Sequence, residues 1–282
     1  MIIILESGRL GNQLFQVNYM LEHLKKKEVL ILIGFKQFSK IFEHNKKIKI
    51  IKNNLLYKFL KFFENSILGF FKFIHLIKLI YEDENANIII RNGLINIITY
   101  SSSSSFQFEI KNSKITEYIY FKKELIFLAR NKINNLKKRY DKIFFVHIRL
   151  GDYLHWPSKL NPAYINNNWY KENIYFIKKK YPNSCFIICS DEIDIIKKDI
   201  NYKYCLFSNN NYAFDFVMMA NCDGGILSAS SFSWWAANYI SKFSNLNSIE
   251  LIGPKYWIGH TNKNWFPKKI KTSFIEYIDV KK

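Results

Sequence analysis

In the second half of the chain, short β-rich apolar runs take turns with segments whose apolar residues recur at helical spacing. Strands are expected at Ile143–Ile148, Phe186–Cys189, Tyr204–Phe207, Gly225–Ser228 and Ile249–Ile252, and helices at Trp169–Lys180, Glu192–Ile200, Tyr212–Ala220 and Phe232–Ile240. Strands separated by helices line up in parallel, and a parallel sheet needs helices on both faces. The pattern predicts a doubly wound α/β domain whose strand ends aim at one crevice.

The start of the chain repeats this unit. Ile2–Leu5 is an apolar run, the turn SGRLG follows, and Asn12–Lys27 places Leu14, Val17, Met20, Leu21 and Leu24 on one helical face before a strand at Val29–Ile33. A chain of 282 residues has room for two domains at roughly 150 residues each. The boundary is expected at 140/141, after a lysine-rich helical stretch from Glu117 to Lys138 and a loop containing Ser101–Ser105. This gives two Rossmann-like α/β domains, 1–140 and 141–282, facing a ligand cleft.

Charge narrows the partners. Lysine and arginine outnumber aspartate and glutamate by 42 to 23, and the resulting +19 attracts nucleic acid, anionic lipid or nucleotide phosphates. Basic and aromatic residues are not interleaved as in a nucleic-acid module, so nucleic acid is the weaker reading. Leu55–Ile80 is apolar, yet Lys58, Lys61, Glu64, Lys72 and Lys78 interrupt it too often for a membrane span. With Asn65 and His75 its lysines fall on one helical stripe, a basic amphipathic segment that either packs on the domain or lies on an anionic membrane. Cys185, Cys189, Cys205 and Cys222 form no C-x-x-C and sit in apolar runs, as buried reduced thiols do. The opening MIIILESG lacks the basic region and cleavage site of a secretory signal, so a cytoplasmic location is expected, with peripheral contact on the inner membrane face.

Four constellations carry chemistry. Gly8, Arg9, Gly11 and Asn12 lie between a strand and a helix, where glycines let a ligand approach the backbone and the helix N-terminus favours an anion. The spacing is not G-x-G-x-x-G, which argues against a dinucleotide. His147, Arg149 and Asp152 follow the strongest strand; an arginine there offers a planar fork to a diphosphate, or forms a structural pair with Asp152. Ser190 and Asp191 follow the strand CFIIC, suited to a ribose or base contact or to capping, and the nearby E-I-D is read against metal. Ser230, Ser231, Phe232 and Ser233 open an aromatic-rich helix whose N–H groups would face the strand ends. No residue pattern with metal-ligand spacing is present.

In order along the chain, GRLGNQLFQ, VHIRLGDY, WYKENIYFIKKKYPN leading into FIICSDE, and DFVMMANCDGGILSASSFSWWAANY resemble the α-1,2-fucosyltransferase family, glycosyltransferase family 11. The resemblance implies a fold of the glycosyltransferase B type, GDP-β-L-fucose as donor, inversion at the anomeric carbon and no required metal or other cofactor. It implies a galactose-containing oligosaccharide or lipid-linked glycan as acceptor, recognised on the first-domain side. By motif position, Arg149 would bind the diphosphate, His147 would support the strand end and Asp152 would brace the loop. Asp191 would approach the nucleoside, Ser230–Ser233 would offer donors, and Asn12 would face the cleft. The chain departs from H-x-R-R-G-D at Leu150, which keeps open a different nucleotide-sugar donor.

Overall fold

The structure is a computed structural model that describes residues 1–62, 77–80, 95–98, 114–244, 249–258, 260, 266, 267 and 270–280. The chain divides into two compact units, Met1–Lys122 with Lys268–Ile270, and Lys123–Pro267 with Lys271–Lys282.

The first unit runs β1 (Ile2–Leu5), α1 (Leu10–His23), β2 (Leu30–Ile33), α2 (Lys36–Ile41), β3 (Phe42–His44), β4 (Ile48–Ile51), α3 (Asn54–Phe62), β5 (Ile77–Ile80), β6 (Ile95–Ile98), α4 (Ile115–Tyr118) and β7 (Ile119–Phe121). A parallel sheet in the order β4-β2-β1-β6-β5 is its centre, and β3 and β7 form a separate antiparallel pair. Leu14, Val17, Met20 and Leu21 of α1 are buried, as their spacing requires. Ile77–Ile80 form a strand, so the stretch from Leu55 to Ile80 is not one helix, and Lys78 leaves the proposed stripe. Glu64, Asn65, Lys72, His75 and the run Ser101–Ser105 lie outside the described residues.

The second unit begins with α5 (Lys123–Lys137), which corrects the 140/141 boundary. This helix packs on the helix Tyr212–Met219, with Lys132 over the Phe214 ring, Arg130 reaching Asn221, and Lys137 paired with Asp223 at 2.7 Å. There follow β8 (Lys142–Ile148), a short 3-10 turn (Asp152–Leu154), α6 (Asn167–Lys180), β9 (Ser184–Ser190), α7 (Ile193–Asp199), β10 (Cys205–Phe207), α8 (Tyr212–Met219), β11 (Gly224–Ile226), α9 (Ser231–Phe243), β12 (Glu250–Pro254) and β13 (Glu276–Ile278). All six strands are parallel, in the order β10-β9-β8-β11-β12-β13. Counted from β8, this is the order 3-2-1-4-5-6, and the winding reverses between β8 and β11. Phe144, Phe145 and Val146 of β8 and Trp234 and Trp235 of α9 are buried in the core of this unit. All four cysteines are free and buried, and burial pushes Cys185 up to about 11 and Cys205 up to about 12, so both stay thiols. Among the described residues no helix is long and apolar enough to cross a membrane.

Candidate active site

In an open α/β sheet, ligands bind beyond the carboxyl ends of the strands where the winding reverses. Here that place is supplied by the residues after β8 and β11. Val146 pairs with Ile226, so the chain beyond β11 runs beside the end of β8. His147 Nδ1 and Ser228 Oγ share a 2.7 Å hydrogen bond, and the imidazole lies against the Phe232 ring at 5.3 Å. Burial lowers His147 to about 4, although the Asp191 carboxylate pulls the other way; the ring is neutral near pH 7.

Ile148 pairs with Ser190 in register, which brings the chain after β9 beside the chain after β8. Arg149 sits there with its fork held twice: Nη2 lies 2.5 Å from Asp152 Oδ1 and Nη1 lies 3.0 Å from Asp191 Oδ2. The structural pair of Arg149 with Asp152 thus exists, and Asp191 joins it. The other oxygen of Asp191 accepts the Leu150 N–H at 2.9 Å. Leu150 itself is buried, so position 150 faces the core. A Cβ on Gly151 would stand 2.8 Å from Asp191 Oδ2; the turn closes around this carboxylate because the residue is glycine.

The serine-rich turn is largely committed to its own helix. Ser230 Oγ accepts the Phe232 N–H at 3.3 Å and caps α9, while Ser233 Oγ donates to the carbonyls of Ser228 and Ser230. Ser231 begins the helix, and Ser190 Oγ accepts the Glu192 N–H at 3.1 Å. What this turn presents beside His147 is the positive end of a 13-residue helix.

Tyr153 was not singled out by sequence reasoning. Its ring lies 5.6 Å from the Arg149 guanidinium carbon, and its hydroxyl donates to the Ala229 carbonyl at 3.1 Å, tying the two loops together. Burial raises this phenol to about 12, so it stays protonated. Its position in H-I-R-L-G-D-Y, directly after Asp152, was the available signal.

The glycine turn belongs to the first unit. Gly8 has φ +71°, and a Cβ there would stand 2.7 Å from the Asn12 amide nitrogen. Gly11 is buried, Asn12 half-buried and Arg9 exposed at the start of α1. Gln13 and Gln37 fix the turn: Gln13 Nε2 donates to Glu6 Oε1 at 2.8 Å and to the Gly8 carbonyl, and Gln37 Oε1 accepts the Leu10 N–H at 2.8 Å. Neither glutamine was separable from ordinary helix surface in the sequence.

A Rossmann-ordered sheet with a doubly braced arginine and a helix N-terminus at its switch point is the frame of a nucleotide-binding transferase domain. Residues 1–253 match glycosyl transferase family 11, and the chain belongs to that family. It is 33% identical over 131 residues to an alpha-1,2-colitosyltransferase of Escherichia coli, a match that spans 43% of each chain. It is 25% identical over 303 aligned positions to the O-antigen biosynthesis glycosyltransferase WbnK of Escherichia coli, covering 92% of this chain and 95% of that one. Among solved structures, the fucosyltransferase NodZ from Bradyrhizobium superposes with a TM-score of 0.52 at 14% identity, over 84% of this chain and 91% of that one. NodZ has also been solved as an alpha-1,6-fucosyltransferase soaked with GDP-fucose. The α/β fold with parallel sheets, expected from the sequence, is therefore shared with a solved fucosyltransferase.

Proposed function

We propose that the protein is an inverting glycosyltransferase that moves L-fucose from GDP-β-L-fucose to the 2-hydroxyl of a galactoside in a surface glycan. The observation that carries this reading is Arg149 at the switch point of the second sheet, beside the N-terminus of α9. In the reaction, the acceptor oxygen forms a bond to the anomeric carbon as the bond from that carbon to the phosphate oxygen breaks. GDP departs with the electron pair, and the proton of the acceptor hydroxyl passes to solvent. The negative charge that develops on the diphosphate is met by the guanidinium fork and the helix N-terminus, which hold cationic character in place without reorganising. Asp191 keeps the fork oriented, and the more exposed Asp152 is the partner a phosphate can replace. With these donors the reaction needs no metal. The net charge of +19 favours the nucleotide and also an acceptor carried on an anionic lipid, at a cytoplasmic membrane face.

Acceptor-dependent release of GDP from GDP-fucose in the presence of EDTA tests this reading, with Arg149→Ala expected to lower turnover by about a hundredfold or more. A second donor is favoured by one observation, the 33% identity to a colitosyltransferase. Colitose is L-fucose lacking its 3-hydroxyl, and turnover with GDP-colitose but not GDP-fucose would select it.

A further inference from the structure

The loop that follows Arg149 is closed by backbone hydrogen bonds and turns apolar side chains outward. Trp156 N–H donates to the Asp152 carbonyl at 3.0 Å, Ala163 N–H donates to the Trp156 carbonyl at 2.7 Å, and Tyr164 N–H donates to the Tyr153 carbonyl at 3.2 Å. His260 Nε2 donates to the Ala163 carbonyl at 3.0 Å and anchors the returning arm. Loops of this kind, with ends held together, commonly carry function. This one leaves Trp156 40% exposed and Leu160 90% exposed, although burying such side chains would be favourable.

Trp156 is not placed at random. Its ring stacks on Tyr153 at 5.4 Å and 29°, and Tyr153 in turn lies against the Arg149 guanidinium at 5.6 Å. Trp156 is therefore an exposed aromatic side chain one ring away from the guanidinium proposed to hold the diphosphate. An aromatic face is negative and the C–H bonds on the less polar face of a galactoside are weakly positive, so the two attract while the sugar hydroxyls stay outward. We infer that the exposed face of Trp156 is the platform on which the acceptor pyranose stacks. The inference rests on the transferase reading, and it names the side chain that selects a galactoside.

The test is titration of methyl β-galactoside in the presence of GDP, followed by saturation-transfer NMR, with GDP affinity measured separately by calorimetry. Trp156→Ala is expected to weaken the galactoside by about fivefold to tenfold, the scale of one lost ring contact. Trp156→Phe is expected to restore most of it, and GDP affinity to hold in both variants. Unchanged galactoside affinity in Trp156→Ala overturns the inference. So does a parallel loss of GDP affinity, which would make the ring a base platform or a prop for Tyr153, and so does a wild-type protein that takes up no galactoside. If the galactoside binds through Trp156 but no GDP-sugar is turned over, the stacking site stands and the transferase reading fails.

Discussion

The two carboxylates on Arg149 are unequal partners. The Asp191 side chain is 24% exposed and is itself held by the Leu150 N–H, whereas the Asp152 side chain is 48% exposed and follows three residues after the arginine. In the proposed reaction an incoming diphosphate would meet a fork that is already aimed and would displace the more exposed partner. His147, bonded to Ser228, is a neutral ring. Its folded-state value near 4 lies below the ordinary 6.5, so between these values the unfolded chain binds more protons than the folded one. Its contribution is fully present above pH 6.5 and is lost as pH falls towards 4, by roughly 3 kcal/mol. Denaturant unfolding of wild type and His147→Gln from pH 4 to 7 checks this. The wild type is expected to lose its advantage over the variant as the pH drops, and parallel curves would contradict the burial account.

At the scale of elements, the site is made by register. Ile148 opposite Ser190 places Asp191 beside Arg149, and Ile226 opposite Val146 leads Ser228 to His147. Gly151 is the joint in this arrangement. Gly151→Ala is expected to push Asp191 off the guanidinium and to lower turnover by about tenfold to a hundredfold, the cost of misplacing a reacting group by about 1 Å. Thermal unfolding is expected to shift little, because the displaced atom ends a side chain at the surface. Unchanged turnover would mean that Asp191 does not orient the fork. The same register explains what could be read from the sequence. Strands such as Ile2–Leu5 and Ile143–Ile148 and the helices between them were legible from apolar spacing, as was the pairing of Arg149 with the nearby Asp152. The second brace was not legible as one, since Asp191 lies 42 positions away and meets Arg149 through a strand alignment that no local pattern encodes. Glu276–Ile278 was missed because a strand of three residues is too short to display a period. Lys78 left the expected helical stripe for another reason: lysine-rich apolar sequence suits a helix and an edge strand alike, and Ile77–Ile80 is an edge strand of the first sheet.

In the whole molecule, the candidate site belongs to the second unit, whose six strands reverse their winding between β8 and β11. At that reversal the chain brings together Arg149, the start of α9 and the hydrogen-bonded pair His147 and Ser228. The chain belongs to family 11, and it shares its fold with a solved fucosyltransferase. The net charge of +19 alone would suit any polyanion, and only the fork geometry points to a diphosphate. Calorimetric titration of GDP, with UDP as the competitor, into wild type and Arg149→Ala tests this most directly. The account expects GDP to bind with a clear preference over UDP and to weaken by at least about tenfold in the variant, as loss of a charge-assisted contact entails. GDP that fails to bind, or binds Arg149→Ala as well as wild type, would contradict it.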